Sequence, residues 1–182
     1  MKIRAFAEKL SLEEAQKKAS RGNGFFGRLF LGKDVAVHMK TIYIENKIIT
    51  YRVSSAPNWI SRIVRRSESG RHSDFLIQMI ANGSTCGVSY YDPQGVEITD
   101  MDVDEEQIQL SDFSDSALAV RGNALARRIL KRRIGGHITL EVESIESVFR
   151  PYHVAFYGEL REGAKVRYIP FPADGCTVKR TF

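Results

Sequence analysis

The last third of the chain, residues 148–181, constrains the fold more than any other stretch. Its two parts, VFRPYHVAFYGEL and KVRYIPFPADGCT, carry the aromatic and β-branched residues typical of strands, and a basic turn with a glycine separates them. A fainter version of this pattern occupies residues 42–88. Because one hairpin buries too little apolar surface to be stable alone, the pattern predicts a larger antiparallel sheet.

Two helices are predicted alongside these strands. Ser11 and Glu14 form a capping box, in which each side chain bonds the backbone N–H of the other residue, so a helix is predicted over 12–20. A second helix is predicted over 115–134, after a serine N-cap and before a pair of glycines. Gly122 lies on the apolar face of this second helix, which predicts close contact between that face and a sheet.

The expected fold class is α+β, an antiparallel sheet with two main helices packed on one face. A length of 182 residues fits one ordinary domain, 1–182. Within it we expect an internal duplication of a helix–hairpin unit, with pseudo-repeats at about 1–92 and 112–182 joined by an acidic segment at 93–111. A helix with one hairpin buries too little surface to fold alone, whereas two copies can share a core.

The duplication hypothesis depends on two short alignments between the halves of the chain. The alignments match Tyr51 with Tyr157, Ile49 with Ala155, Ala81 with Ala173 and, after a slip of two residues, Cys86 with Cys176. The first half has the longer hairpin loop, which carries several arginines. That difference between the two copies is a place to expect function.

After the second helix the chain passes through an aromatic strand, a basic turn, and a strand that closes on small residues and Asp-Gly. The residues in this order are Phe149, Pro151, Tyr152, Val154, Phe156, Tyr157, Val166, Arg167, Tyr168 and Asp174-Gly175. This order resembles the helix-plus-hairpin modules of the PepSY-like or cystatin-like type. The resemblance implies a non-catalytic module of the kind found in uncharacterised bacterial proteins. The long arginine-bearing loop, the cysteine after Asp-Gly and the acidic segment depart from that pattern.

Composition is that of a soluble globular protein, with 43% hydrophobic and 27% charged residues. The apolar runs are too short to span a bilayer and the N-terminus lacks the apolar core of a signal peptide, so a cytoplasmic location is expected. The net charge of +5 is uneven, because residues 92–115 hold nine acidic residues and no lysine or arginine. Such asymmetry is typical either of a partner-binding face or of two solvated surfaces that help to pair with each other.

Eight basic residues are the candidate contacts for an anion or a nucleic acid. Three lie in a long predicted loop and five at the end of the second helix: Arg62, Arg65, Arg66, Arg127, Arg128, Lys131, Arg132 and Arg133. Cations at a helix C-terminus are also favoured by the helix dipole, which by itself explains the helical group. A phosphate-binding patch is the alternative interpretation.

Cys86, Cys176 and His153 are the candidates for a metal or redox site. A nucleophilic cysteine needs a nearby base, and no sequence spacing ties any of the four histidines to either cysteine. Closely spaced metal ligands of the Cys-x-x-Cys kind are absent from the sequence, so two buried thiols are the simpler interpretation. We predict no cofactor and no catalytic residue.

These features favour a non-catalytic protein-interaction or structural module, with a protein partner or self-association. Binding of nucleic acid or another anion through the basic end of the second helix is the alternative. A cysteine-dependent enzyme is a third hypothesis, which requires a base within reach of a thiolate.

Overall fold

The fold comes from a computed structural model, described here for residues 1–21, 37–56, 75–133, 137–158 and 167–175. The elements in chain order are β1 (Lys2–Phe6), α1 (Leu12–Arg21), β2 (Val37–Ala56), β3 (Phe75–Asn82), β4 (Val88–Tyr90), β5 (Ile98–Asp102), a 3-10 turn (Glu105–Gln107), β6 (Ile108–Gln109), α2 (Asp115–Arg133), β7 (His137–Tyr157) and β8 (Arg167–Pro172). The predicted α+β class with two helices is confirmed for the described residues.

The strands form a mixed sheet rather than the purely antiparallel one expected. Antiparallel pairs join β1 to β5, β2 to β3, β3 to β4, and β7 to β8. Within the described residues two pairings are parallel, between β1 and β7 at Ala5 and Phe149, and between β2 and β6 at Tyr43 and Ile108. Each parallel contact is only one or two residues long, so the sheet remains mostly antiparallel.

Strands β2 and β7 are longer than the sequence predicts, since the sequence favours a break near Glu45-Asn46 and three separate strands between residues 137 and 159. The expected break near Glu45-Asn46 is wrong, since Asn46 is buried and pairs with Asn82 inside a continuous β2. The expected separate strands between residues 137 and 159 are likewise one strand, which passes through Pro151. Proline lacks an N–H, and it lies where the neighbour of β7 changes from β1, at Phe149, to β8, which begins pairing at Tyr152.

The described chain divides into two compact units, and each of the two long strands runs through both. The first unit draws on Met1–Glu45, Gly95–Leu110 and Val148–Thr177, and the second on Asn46–Gln94 and Ser111–Ser147. Each unit therefore contains residues from both predicted repeats.

The core of the second unit lies between α2 and the inner face of β2, β3 and β7. Its buried members are Ile49, Tyr51, Val53, Ile77, Met79, Ala81, Leu118, Ala119, Ala126, Leu130, Ile138 and Leu140. Strand residues at every second position and residues on one face of α2 supply this set, as the strand and helix periodicities require. The apolar face predicted for α2 is thus the face that packs.

Gly122 makes the close contact between α2 and β2 that the sequence predicts. A Cβ built on Gly122 would lie 2.3 Å from the Tyr51 hydroxyl oxygen. That hydroxyl donates a 2.6 Å hydrogen bond to the carbonyl of Ala119. Burial raises the pKa of Tyr51 to about 12, and a backbone hydrogen bond from Asn123 opposes part of that rise. The absent side chain of Gly122 leaves the space that this phenol occupies.

Two apolar clusters lie among the described residues of the first unit. One joins β1 and β5 to the middle of the long strands, and its members are Ile3, Ala5, Tyr43, Val103 and Phe149. The other places Ala19 of α1 against Ala155 and Tyr157 of β7.

Both side chains of the predicted capping box make their bonds, with Glu14 N–H donating to Ser11 Oγ at 3.2 Å and Ser11 N–H to Glu14 Oε2 at 3.4 Å.

Several contacts occur twice, once for each half of the chain. The Tyr51 hydroxyl donates to Ala119 in α2, and the Tyr157 hydroxyl donates to Ala19 in α1 at 3.2 Å. Backbone bonds ahead of the helices repeat as well: Asp112 donates to Gly83, and Lys9 donates to Ala173. In both cases the helix of one half contacts the hairpin of the other. The internal duplication stays a prediction.

Candidate interaction surface

The five predicted basic residues of the second helix all lie at the C-terminal end of α2 and are exposed. Arg127 is held by the protein itself, because it donates to Asn123 Oδ1 at 2.7 Å and to the carbonyl of Ile138 at 2.8 Å. It thereby fastens the end of α2 to the start of β7. Arg128, Lys131, Arg132 and Arg133 extend this basic end, whereas Arg62, Arg65 and Arg66 lie outside the described residues.

His153 is part of a buried hydrogen-bonded cluster in the first unit. Its side chain is 1% exposed, with Nδ1 3.0 Å from Thr41 Oγ1 and Nε2 2.8 Å from the carbonyl oxygen of Leu10. A carbonyl only accepts, so Nε2 carries the proton in the neutral ring and Nδ1 accepts from Thr41. Glu8 lies 3.9 Å from Nε2 and accepts a hydrogen bond from Tyr43. A metal ion at either ring nitrogen would have to displace one of these bonds.

Burial and the neighbouring Glu8 carboxylate raise the pKa of Tyr43 above its ordinary value. A buried polar pair in the same unit is Arg150 with Asp174, bonded through two nitrogens at 2.5 and 3.1 Å. Asp174 belongs to the Asp-Gly corner noted in the sequence. Both pairs, Tyr43 with Glu8 and Arg150 with Asp174, connect separate strands and turns of the first unit.

Cys86 lies in the turn between β3 and β4 with a left-handed backbone, φ 55°. The Asn82 side chain shapes this turn by accepting hydrogen bonds from the N–H groups of Ser84 and Thr85, both at 2.9 Å. The thiol is free and half-buried, while Cys176 lies outside the described residues. Across the part of the chain that is described, no group of three or more His, Cys, Asp or Glu side chains could hold a metal ion.

The outer face of α2 carries an apolar stripe that continues into the cations. Ala117, Val120 and Ala124 are exposed, three and four residues apart, and Arg128 and Lys131 continue the same line. Val120 is 71% exposed. We call these five residues the α2 stripe. The opposite side of the helix is fully occupied by the core of the second unit.

The equivalent positions of α1 are charged. Counted from the N-cap serines Ser11 and Ser114, Glu14 corresponds to Ala117 and Lys17 corresponds to Val120. Glu14 and Lys17 are exposed, as are their counterparts. Both helices therefore meet solvent at the same positions, and only α2 presents apolar side chains there.

The sequence prediction of the site contained the cations of this surface and missed its apolar part. The spacing of Ala117, Val120 and Ala124 was obscured by the core-facing apolar residues between them. When the two helices are aligned on their N-cap serines, exposed charged residues of α1 correspond to exposed apolar residues of α2.

Comparisons with protein-family models, with curated proteins and with solved structures found no match to this chain. The resemblance to PepSY-like and cystatin-like modules therefore stays a prediction. None of the described helices is long and apolar enough to cross a membrane.

Proposed function

We propose that this chain is a non-catalytic protein-interaction module whose docking surface is the α2 stripe. The single observation that carries the proposal is the exposure of Val120 within a line of apolar and basic side chains. The apolar side chain of an exposed valine makes no favourable interaction with water. A partner that covers it removes apolar area from solvent, which stabilises the complex. A cytoplasmic location, expected from the sequence, is part of the proposal.

The α2 stripe suits a protein better than a nucleic acid. Affinity for nucleic acid comes chiefly from cations that neutralise phosphates, and an apolar line adds nothing to that contact. Protein interfaces typically combine an apolar centre with polar or charged residues at the rim, and the order from Val120 to Arg128 has this character. Nucleic-acid binding and cysteine-dependent catalysis stay predictions from the sequence.

Photo-crosslinking in cells of the source organism tests this function. With a photoreactive residue at position 120, we expect an adduct that contains protein and survives nuclease treatment. The same residue at Gln94, which is exposed in a turn of the second unit, is the control and should give no such adduct. An adduct destroyed by nuclease, or equal adducts at both positions, would contradict the proposal.

A further inference from the structure

We propose that the partner segment is an acidic amphipathic helix that lies antiparallel to α2 along its stripe. This inference rests on the proposed function and specifies its partner. The stripe is a feature of one helix, and Ala117 to Lys131 extend along it for about 21 Å at 1.5 Å per residue. A helix of similar length covers such a line with residues repeating every three or four positions.

The side chains of the α2 stripe favour a close helix–helix contact. Ala117 and Ala124 are small and flank Val120 on the exposed face. The spacing between two packed helices depends on the side chains at their contact, and small residues permit the shorter separations. A partner with larger apolar residues, such as leucine, would fill the space beside Val120.

The charge of α2 favours an acidic partner and disfavours a second copy of the chain lying parallel to it. Between Asp115 and Arg133 the helix has one acidic and six basic residues. The one acid, Asp115, is already 3.1 Å from Lys47 Nζ. Two such helices side by side in the same direction would bring their basic ends within a Debye length of about 8–10 Å, where charges still repel. Aspartate and glutamate on a partner reverse the sign of that interaction.

The orientation follows from the helix dipoles. Arg128 and Lys131 lie at the C-terminal end of the stripe, so the acidic residues of the partner must lie beside that end. Acidic residues are stabilising near the N-terminus of their own helix and destabilising near its C-terminus. An antiparallel partner places its N-terminus beside Arg128 and Lys131, which satisfies both requirements.

Selection from a displayed library of helix-forming peptides against the full chain tests the inference directly. Peptides of about 20 residues form roughly 30 Å of helix and cover the stripe. We expect enrichment of apolar residues at helical spacing with Asp or Glu in the first turns. A peptide with those acids moved to its last turns should bind roughly two- to fivefold more weakly, the effect of the dipole at one terminus.

Matched variants identify the surface that the selected peptides use. Val120→Lys gives α2 the residue that α1 has at the equivalent position, and we expect at least about a tenfold loss of peptide affinity, as for a residue central to an interface. Arg128→Glu with Lys131→Glu should give a similar loss. Lys17→Glu with Lys18→Glu in α1 makes the same charge change elsewhere and should leave peptide affinity unchanged. Thermal unfolding of each variant verifies that the fold is kept.

Several outcomes overturn this inference. They are the absence of enrichment, enrichment of neutral or basic peptides, preference for acids in the last turns, or affinity that Val120→Lys leaves unchanged. Preferential binding of duplex DNA over the acidic peptides, or crosslinking of position 120 to a second copy of this chain, would also overturn it. A crosslinked second copy would contradict the acidic helix while leaving the proposed protein-interaction function intact, so the two proposals fail separately.

Discussion

At the scale of single residues, the contact between Gly122 and Tyr51 ties α2 to the sheet. Alanine normally stabilises a helix by about 1 kcal/mol relative to glycine. Here its Cβ would lie 2.3 Å from the Tyr51 hydroxyl. We therefore expect Gly122→Ala to lower the free energy of unfolding by about 1–3 kcal/mol, as overpacked core positions do. Urea denaturation measures the change.

Tyr51→Phe provides the control for that prediction. Removal of the hydroxyl eliminates the 2.3 Å contact and leaves the ring carbon that bore it 3.2 Å from the new methyl group. Gly122→Ala should then lower the free energy of unfolding by less in the Tyr51→Phe background than in the parent. We expect a coupling free energy of about 0.5–3 kcal/mol between the two substitutions. A stabilised Gly122→Ala variant, or strict additivity of the two changes, would show that the contact is unimportant.

The raised pKa of Tyr51 predicts a loss of stability at alkaline pH. Below pH 10 the phenol is protonated in both the folded and the unfolded chain, so it contributes no pH dependence. Between pH 10 and about 12 the unfolded chain loses the proton while the folded chain keeps it, so stability falls by up to about 3 kcal/mol.

Denaturant unfolding at a series of alkaline pH values tests this. Tyr51→Phe should reduce the slope of stability against pH, and a smaller slope should remain because burial also raises the pKa values of Tyr43 and Tyr157. Tyr168→Phe removes a tyrosine that is 64% exposed and should leave the slope as it is in the parent. Equal slopes for the parent and Tyr51→Phe would contradict the assignment.

At the scale of elements, helices were easier to predict than strands. The capping box at Ser11 and the serine ahead of α2 are local signals, and both helices begin where those signals indicate. Continuity of β2 and β7 is not a local property. It depends on the pairing of Asn46 with Asn82, and on the change of neighbour at Pro151, which removes the need for its N–H.

The candidate surface was predictable only in its charged part, for a related reason. A cluster of arginines is visible in any linear reading, whereas an exposed valine is recognised only when the inward face of its helix is known. Val120 follows Leu118 and Ala119, both buried, and it lies outside the packing face that Gly122 marks. Comparison with α1 identifies the exposed positions of α2, because both helices begin after a serine N-cap.

At the scale of the molecule, the two halves of the chain depend on each other for their cores. The apolar face of α1 contacts Ala155 and Tyr157, which belong to the second half. The apolar face of α2 contacts Ile49 and Tyr51, which belong to the first. Each half therefore carries a helix whose packing surface the other half provides.

We expect fragments 1–93 and 94–182, divided in the exposed turn after Asp92, to remain unfolded when separate. Mixed together, they should recover cooperative unfolding and co-elute, because each supplies the packing surface of the other's helix. Circular dichroism and gel filtration measure both results. The intact protein cut at the same turn after folding is the control and should stay folded. Cooperative unfolding of either fragment alone would contradict the interdependence.

The passage of β2 and β7 through both compact units has a consequence for inheritance. Each unit is assembled from separate stretches of sequence, so no single contiguous piece of the gene encodes one. Recombination at only two positions in the gene could therefore not transfer one complete unit into another protein. One half of the chain, with its helix and hairpin, is contiguous in the gene and can be duplicated as a piece. Its duplication would yield two compact units only if both copies belonged to one chain or associated as separate chains.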